Sequence, residues 1–120
     1  MKSDVQKLLK EWQCRLGLEH WNIILRDNCA PEDMQLQNVA GESDWVEELE
    51  CGVVRLLDAK YYGKRIEPYD KEKTLVHELL HLKFTFLWND DGGLQQRIVH
   101  QLIECLAKAL VDAKRSVDGN

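Results

Sequence analysis

The amino-acid sequence predicts an α+β fold with an N-terminal helix, a small and mainly antiparallel three-stranded sheet, and two antiparallel C-terminal helices. Helical spacing of apolar residues near the N-terminus gives way to short β-branched segments, and these are followed by two long helical patterns. The chain has 120 residues and no linker-like composition, so we expect one domain over residues 1–120.

The first helix is predicted over residues 3–16. Ser3 and Gln6 match a capping box with Ser3 as the N-cap, and Gly17 is placed to end the helix. The spacing of the apolar side chains indicates one buried stripe. This stripe consists of Val5, Leu8, Leu9, Trp12 and Leu16.

Three segments in the middle of the chain have the composition of strands. Trp21 to Arg26 is short, apolar and partly β-branched. Met34 to Trp45 has a weaker pattern with Gly41 as a bulge, and Cys51 to Leu57 has the clearest pattern. The last two segments are close enough in sequence to form an antiparallel hairpin.

Two helices are predicted in the C-terminal half. Asp70 is a suitable N-cap for a helix from Lys71 to Trp88, and a turn at Asn89–Gly93 precedes a last helix from Leu94 to about Lys114. Residues Ser116–Asn120 are expected to fray. The core face of the first helix is expected to contain Leu75, Val76, Leu79, Leu80, Leu82, Phe86 and Leu87. The core face of the last helix is expected to contain Ile98, Leu102, Cys105, Leu106, Ala109 and Leu110.

The composition argues against several classes of partner. A net charge of -5 does not suit a nucleic-acid-binding surface, and no apolar run is long enough for a membrane span. The N-terminus shows no signal-peptide pattern, and the four cysteines form no Cys-x-x-Cys pair. We therefore expect a cytoplasmic protein whose cysteines are reduced, small and buried.

The pentapeptide His77-Glu78-Leu79-Leu80-His81 fits the pattern His-Glu-x-x-His on a predicted helix. His77 and His81 are four residues apart, so their imidazoles leave the same helix face and can reach one zinc ion. Glu78 can then accept a proton from a water molecule that the ion activates. The motif predicts a zinc site with Glu78 as its general base.

The third protein ligand is expected on the last helix, because a catalytic zinc site usually has three. A short turn should make the last two helices pack antiparallel, which brings residues 101–105 level with the motif. His100 lies just before this window and Glu104 lies within it, and the two share a helix face. Both are candidate ligands.

With these residues, the chain resembles the zincin metallopeptidases, in particular small ones found in bacteria and phages. The resemblance covers most of the chain, from the strand hairpin through the motif helix to the segment from Val99 to Glu104. In gluzincins the third ligand is a Glu on a later helix, whereas His100 stands at that position here. Either His100 binds the metal and Glu104 supports a ligand histidine, or Glu104 binds and His100 is its neighbour. We favour the first, because neutral imidazole is a good zinc ligand.

The resemblance implies zinc-dependent hydrolysis of a peptide or protein substrate. The strand Cys51–Leu57 is the expected sheet edge for an extended substrate. Tyr61, Tyr62 and Tyr69 are candidate oxyanion donors, although packing is the more ordinary role for each. The alternative is a non-catalytic metal-binding regulatory or interaction module, including a phage-encoded one, and the substrate and oligomeric state are left open.

Overall fold

A computed structural model describes residues 4–37, 39–63, 65–87 and 92–118, and it confirms the α+β class. The helices and strands of these ranges are α1 (Asp4–Arg15), β1 (Asn22–Cys29), β2 (Gly41–Val46), β3 (Cys51–Leu57), α2 (Lys71–Lys83) and α3 (Leu94–Asp118). Short 3-10 turns also occur at Pro31–Asp33, Glu47–Leu49, Ala59–Tyr61 and Thr85–Leu87. Within the described ranges, no helix has both the length and the apolar composition needed to cross a membrane.

The sheet is mixed, with the strand order β1-β3-β2. The expected hairpin is confirmed, since β2 and β3 pair antiparallel, but β1 pairs parallel to β3. The strand β3 is therefore central, and its Val54 and Leu56 are fully buried. The expectation that Cys51–Leu57 forms the sheet edge is wrong: the edge beside the C-terminal helices is β2.

The edge strand β2 is shorter than the predicted segment and begins at Gly41. Before it, the backbone N–H groups of Gln35 and Leu36 donate to the buried carboxylate of Glu42, at 3.0 and 2.9 Å. Gly41 is no bulge, because its pairing with Leu56 is regular. A Cβ at this position would lie 2.6 Å from Thr74 Cγ2, so glycine allows β2 to approach α2 closely.

The helix α1 closely matches its prediction. Its proposed N-cap, Ser3, lies outside the described residues, and Gly17 ends the helix with a φ of +71°. Gln6 Nε2 donates to the carbonyl of Leu25 on β1. The buried indole of Trp12 donates to Glu72 on α2 at 2.8 Å, so α1 is attached to both the sheet and the motif helix.

The motif helix α2 lies at the centre of the fold, in contact with α1, α3, β2 and β3. Its N-cap is confirmed, since the Asp70 carboxylate accepts from the backbone N–H of Lys73 at 3.2 Å. The helix ends at Lys83, earlier than predicted, and Thr85–Leu87 forms a 3-10 turn. The buried residues of α2 are Leu75, Val76, Glu78, Leu79, Leu80, His81 and Leu82.

The last helix runs antiparallel to α2. Arg115 binds the Asp70 carboxylate through both terminal nitrogens, at 2.6 and 2.9 Å, and Lys114 Nζ lies 2.5 Å from Glu72. The helix α3 continues beyond Lys114, where the prediction ends it, to Asp118. Residues 89–91 of the predicted turn Asn89–Gly93 lie outside the described ranges.

The core face of α3 is displaced from the predicted one, so that the residue after each of Ile98 and Leu102 is buried instead. The buried residues are Val99, Ile103, Ala107 and Val111, with Leu106 and Leu110 packed against them. Ile98 and Leu102 are 55% and 45% exposed. Both stripes have helical spacing, and the position of α2 determines which one is buried.

The four cysteines are free thiols. Cys29 is buried and Cys51 is half-buried, whereas Cys14 and Cys105 are exposed. The expectation that all four are small buried residues is therefore wrong for Cys14 and Cys105.

Candidate metal centre

The two motif histidines converge on one point. Nε2 of His77 lies 3.2 Å from Nε2 of His81, as the i and i+4 positions of α2 allow. Two nitrogens bound about 2.0–2.1 Å from a tetrahedral zinc ion would lie about 3.3–3.4 Å apart. The separation in the protein is therefore close to the one that a shared ion requires.

The third histidine comes from α3. The ring of His100 lies 5.0 Å from that of His77 and 5.9 Å from that of His81, measured between centroids. One nitrogen from each of the three rings lies within 4.8 Å of the others. His77, His81 and His100 therefore form a group that can hold a metal ion, with His81 buried and His100 exposed.

Glu104 lies outside this group of three nitrogens. Its carboxylate contacts Nδ1 of His77, on the other side of the imidazole ring from Nε2. This nitrogen is buried, whereas the Glu104 side chain is 61% exposed. A histidine that binds a metal commonly directs its second nitrogen to such a carboxylate, which fixes the ring orientation and tautomer.

The charge state of the cluster suits metal binding. Burial lowers the pKa of His77 to about 4, and the nearby His100 acts in the same direction. Burial likewise lowers the pKa of His81 to about 4, assisted by the two other imidazoles. Neutral imidazoles at His77 and His81 offer the lone pairs that a metal ligand needs.

Glu78 is buried, with 5% of its surface exposed, and faces the edge strand. Ser43 on β2 donates a hydrogen bond from Oγ to Glu78 Oε1 at 2.7 Å. Burial raises the pKa of Glu78 to about 7, while the Ser43 hydroxyl opposes this rise. A carboxyl group whose pKa lies near neutrality is suited to both accepting and returning a proton.

A cleft with a volume of about 640 Å³ opens over the three histidines and Glu78. The edge strand β2 forms one wall, and the indole of Trp45 stacks on His81 at 6.3 Å between centroids. Among the described residues, no lysine or arginine lines this cleft. The lining residues are Gln35, Leu36, Val39, Gly41, Glu42, Ser43, Asp44, Trp45, His77, Glu78, His81, Gln96 and His100.

Nine of the thirteen described lining residues are not predicted from the sequence to belong to the site, among them Ser43, Trp45 and Gln96. Ser43 and Trp45 were assigned only to a weak strand, and Gln96 to no role at all. The alternating pattern of β2 could have placed Ser43 and Trp45 on one face, but only with the strand start known. The helical spacing of Gln96 and His100, four residues apart, was the available signal for the third.

The candidate tyrosines do not line the cleft in the described structure. The hydroxyl of Tyr69 donates to the carbonyl of Leu57 at 2.6 Å and also lies 3.3 Å from the carbonyl oxygen of Ala40. Tyr62 stacks on the Tyr69 ring and donates to the carbonyl of Glu67. These residues stabilise the connection before α2.

The chain was compared with protein-family models, curated proteins and solved structures, and none of them matches it. The interpretation of the centre therefore depends on its own residues and geometry.

Proposed function

We propose that this protein is a zinc-dependent metallopeptidase of the zincin type. The observation that carries the proposal is the convergence of the His77 and His81 nitrogens, 3.2 Å apart, beside the buried carboxylate of Glu78. A purely structural metal site has no need for an acid at this position. His100 supplies the third nitrogen, and the cleft leaves space beside it for a substrate.

His77, His81 and His100 would hold the ion, with Glu104 orienting His77. Zinc suits a set of neutral imidazoles, although other divalent transition ions bind similar sites. When bound, the ion would lower the pKa of a water molecule and polarise the substrate carbonyl. The buried position of Glu78 keeps its carboxylate close to this chemistry and shielded from bulk solvent.

Glu78 would move the proton in both halves of the reaction. As the water oxygen forms a bond to the carbonyl carbon, the carbonyl π electrons move to oxygen and a water proton passes to Glu78. When the C–N bond breaks, its electron pair stays on nitrogen, which takes the proton from Glu78. The products are a carboxylic acid and an amine, and Glu78 returns to its starting state.

The substrate would be an extended peptide or protein segment that lies along β2. Among the described strands, β2 pairs only with β3, so its other edge would be able to pair with a peptide backbone. Leu36, Val39 and Trp45 make part of the cleft wall apolar. The four free thiols suit a reducing compartment, which supports the proposed cytoplasmic location.

The first experiment compares the wild-type protein with Glu78→Gln, a substitution that keeps the size of the side chain. Metal analysis should find about one equivalent of zinc in both proteins. Only the wild type should cleave a mixed peptide library, with the products identified by mass spectrometry. If both proteins bind zinc and neither cleaves peptides, the centre serves a non-catalytic binding or regulatory module instead.

A further inference from the structure

The cleft contains a candidate for the group that stabilises negative charge on the substrate, and the inference depends on the proposed peptidase function. When water attacks a peptide bond, the carbonyl oxygen takes up a full negative charge that a fixed hydrogen-bond donor can stabilise. Besides the three histidines, four described side chains with neutral donors line the cleft: Gln35, Ser43, Trp45 and Gln96. The Ser43 hydroxyl already donates its hydrogen bond to Glu78.

Gln96 is placed beside the metal ligands by the geometry of α3. It lies one helical turn before His100, and residues with this spacing have Cβ atoms about 5–6 Å apart on the same face. Both side chains line the same cleft. Gln35, in contrast, is an exposed residue of the segment before β2, and the Trp45 ring is stacked on His81.

The orientation of the Gln96 amide is fixed by one hydrogen bond. The backbone N–H of Gly92 donates to Gln96 Oε1 at 2.5 Å. Because a backbone N–H can only donate, the amide oxygen must face Gly92 and the NH₂ group must lie on the other side. No hydrogen bond joins this nitrogen to another described residue, and Gln96 lines the cleft, so the nitrogen is available to a substrate oxygen there.

We propose that Gln96 Nε2 is the donor that stabilises the oxyanion during peptide hydrolysis. The cleft lacks a lysine or arginine for this purpose among its described lining residues, and a neutral amide is already oriented there. The amide N–H would donate a hydrogen bond to the carbonyl oxygen and so stabilise the negative charge that this oxygen gains when the new C–O bond forms. It releases that oxygen when the C–N bond breaks and the carbonyl is restored.

Two substitutions separate this role from a structural one. Gln96→Met removes the donor and also the acceptor for Gly92, without adding charge. Gln96→Glu removes the donor but keeps an oxygen for Gly92. An oxyanion donor predicts that both variants lose kcat by about 100–1,000-fold, with zinc content retained and KM little changed. A role in holding Gly92 predicts that only Gln96→Met is impaired, and charge repulsion predicts that only Gln96→Glu is.

A second measurement does not require turnover. An N-acylated phosphinic Phe-Leu dipeptide carries a tetrahedral anionic group in place of the scissile bond, and its affinity for the zinc-loaded protein can be measured by calorimetry. We expect both Gln96 variants to bind it at least about tenfold more weakly, whereas Gln101→Ala, an exposed glutamine on the same helix, should bind normally.

The inference is overturned if either Gln96 variant keeps wild-type kcat and phosphinate affinity, or if Trp45→Phe alone causes the loss. It is also overturned if the phosphinate does not bind the wild type. If the wild type binds the phosphinate through Gln96 but cleaves no peptide, the proposed peptidase function fails and the role of Gln96 in hydrolysis fails with it, whereas the binding of a tetrahedral anion by Gln96 is established.

Discussion

The carboxylate of Glu104 contacts Nδ1 of His77, while Nε2 of the same ring meets His81. Under the proposed function this arrangement would separate two roles on α3, since His100 would offer a nitrogen to the ion and Glu104 would orient His77. We expect His100→Ala to abolish stable zinc binding. Glu104→Gln should weaken zinc affinity by about 10–100-fold, as the loss of an orienting partner does elsewhere.

Competition with a chromogenic chelator measures both affinities. Asp112→Asn is the control, because Asp112 lies two turns further along α3 and pairs with Lys73 and Lys108. Complete loss of zinc in Glu104→Gln together with retention in His100→Ala would reverse the two roles.

Ser43 is predicted to position the general base. Its hydroxyl is 2.7 Å from Glu78, and a hydrogen bond to a charged group contributes about 1.5–3 kcal/mol. Ser43→Ala should therefore reduce kcat/KM by about 10–100-fold with zinc content unchanged. Ser43→Thr keeps the hydroxyl in a strand and should restore most of the activity. Equal activity in all three proteins would show that Glu78 does not need this partner.

Because one apolar stripe of α3 is buried and the other is exposed, we predict a large loss of stability at one isoleucine of that helix and almost none at another. Ile103 is fully buried and Ile98 is 55% exposed. Ile103→Ala should lower the free energy of unfolding by about 2–5 kcal/mol, whereas Ile98→Ala should change it by less than about 0.5 kcal/mol. Urea unfolding of the metal-free proteins tests this comparison, and similar losses would mean that the second stripe is also covered.

Acid should weaken the attachment of α2 to α3. Burial alone would raise the pKa of Glu72, but hydrogen bonds from Lys114 and Trp12 outweigh it and hold the pKa below its usual range. The hydrogen bond from Arg115 likewise lowers the pKa of Asp70. Because both pKa values are lowered on folding, this stabilisation is present above about pH 4 and is lost as the pH falls through the folded values.

Urea unfolding between pH 6 and about pH 2.5, followed by circular dichroism, measures this dependence. Glu72→Gln should flatten the pH dependence of the unfolding free energy in the acid range. Glu48→Gln, at an exposed carboxylate in a surface turn, should leave it unchanged. An undiminished acid slope in Glu72→Gln would assign the loss of stability to other carboxylates.

Much of the local structure could be predicted from the sequence, because short-range signals determine it. The cap at Asp70, the helix that follows it and the strand Cys51–Leu57 depend on residue preferences and apolar spacing within a few positions. The motif spacing alone was enough to predict that the nitrogens of His77 and His81 would meet.

The relations between elements were harder to predict. The sequence pattern of β3 does not distinguish a central strand from an edge strand that packs on helices, so the strand order and the position of Ser43 opposite Glu78 were missed. On α3, apolar residues cover more than one face, and only packing against α2 selects Ile103 over Ile98. The orientation of Gln96 depends on a backbone group outside its own helix.

Ion pairs between side chains join the end of α3 to the start of α2, and these contacts do not depend on a bound metal ion. Arg115 and Lys114 bind Asp70 and Glu72, about one to three turns before His77 and His81 on α2 and about four turns after His100 on α3. The histidines can therefore stay close together while the protein is empty, and an ion can enter or leave without the chain unfolding. We expect the supply of metal to act as a reversible switch on a population of folded molecules that is already in place.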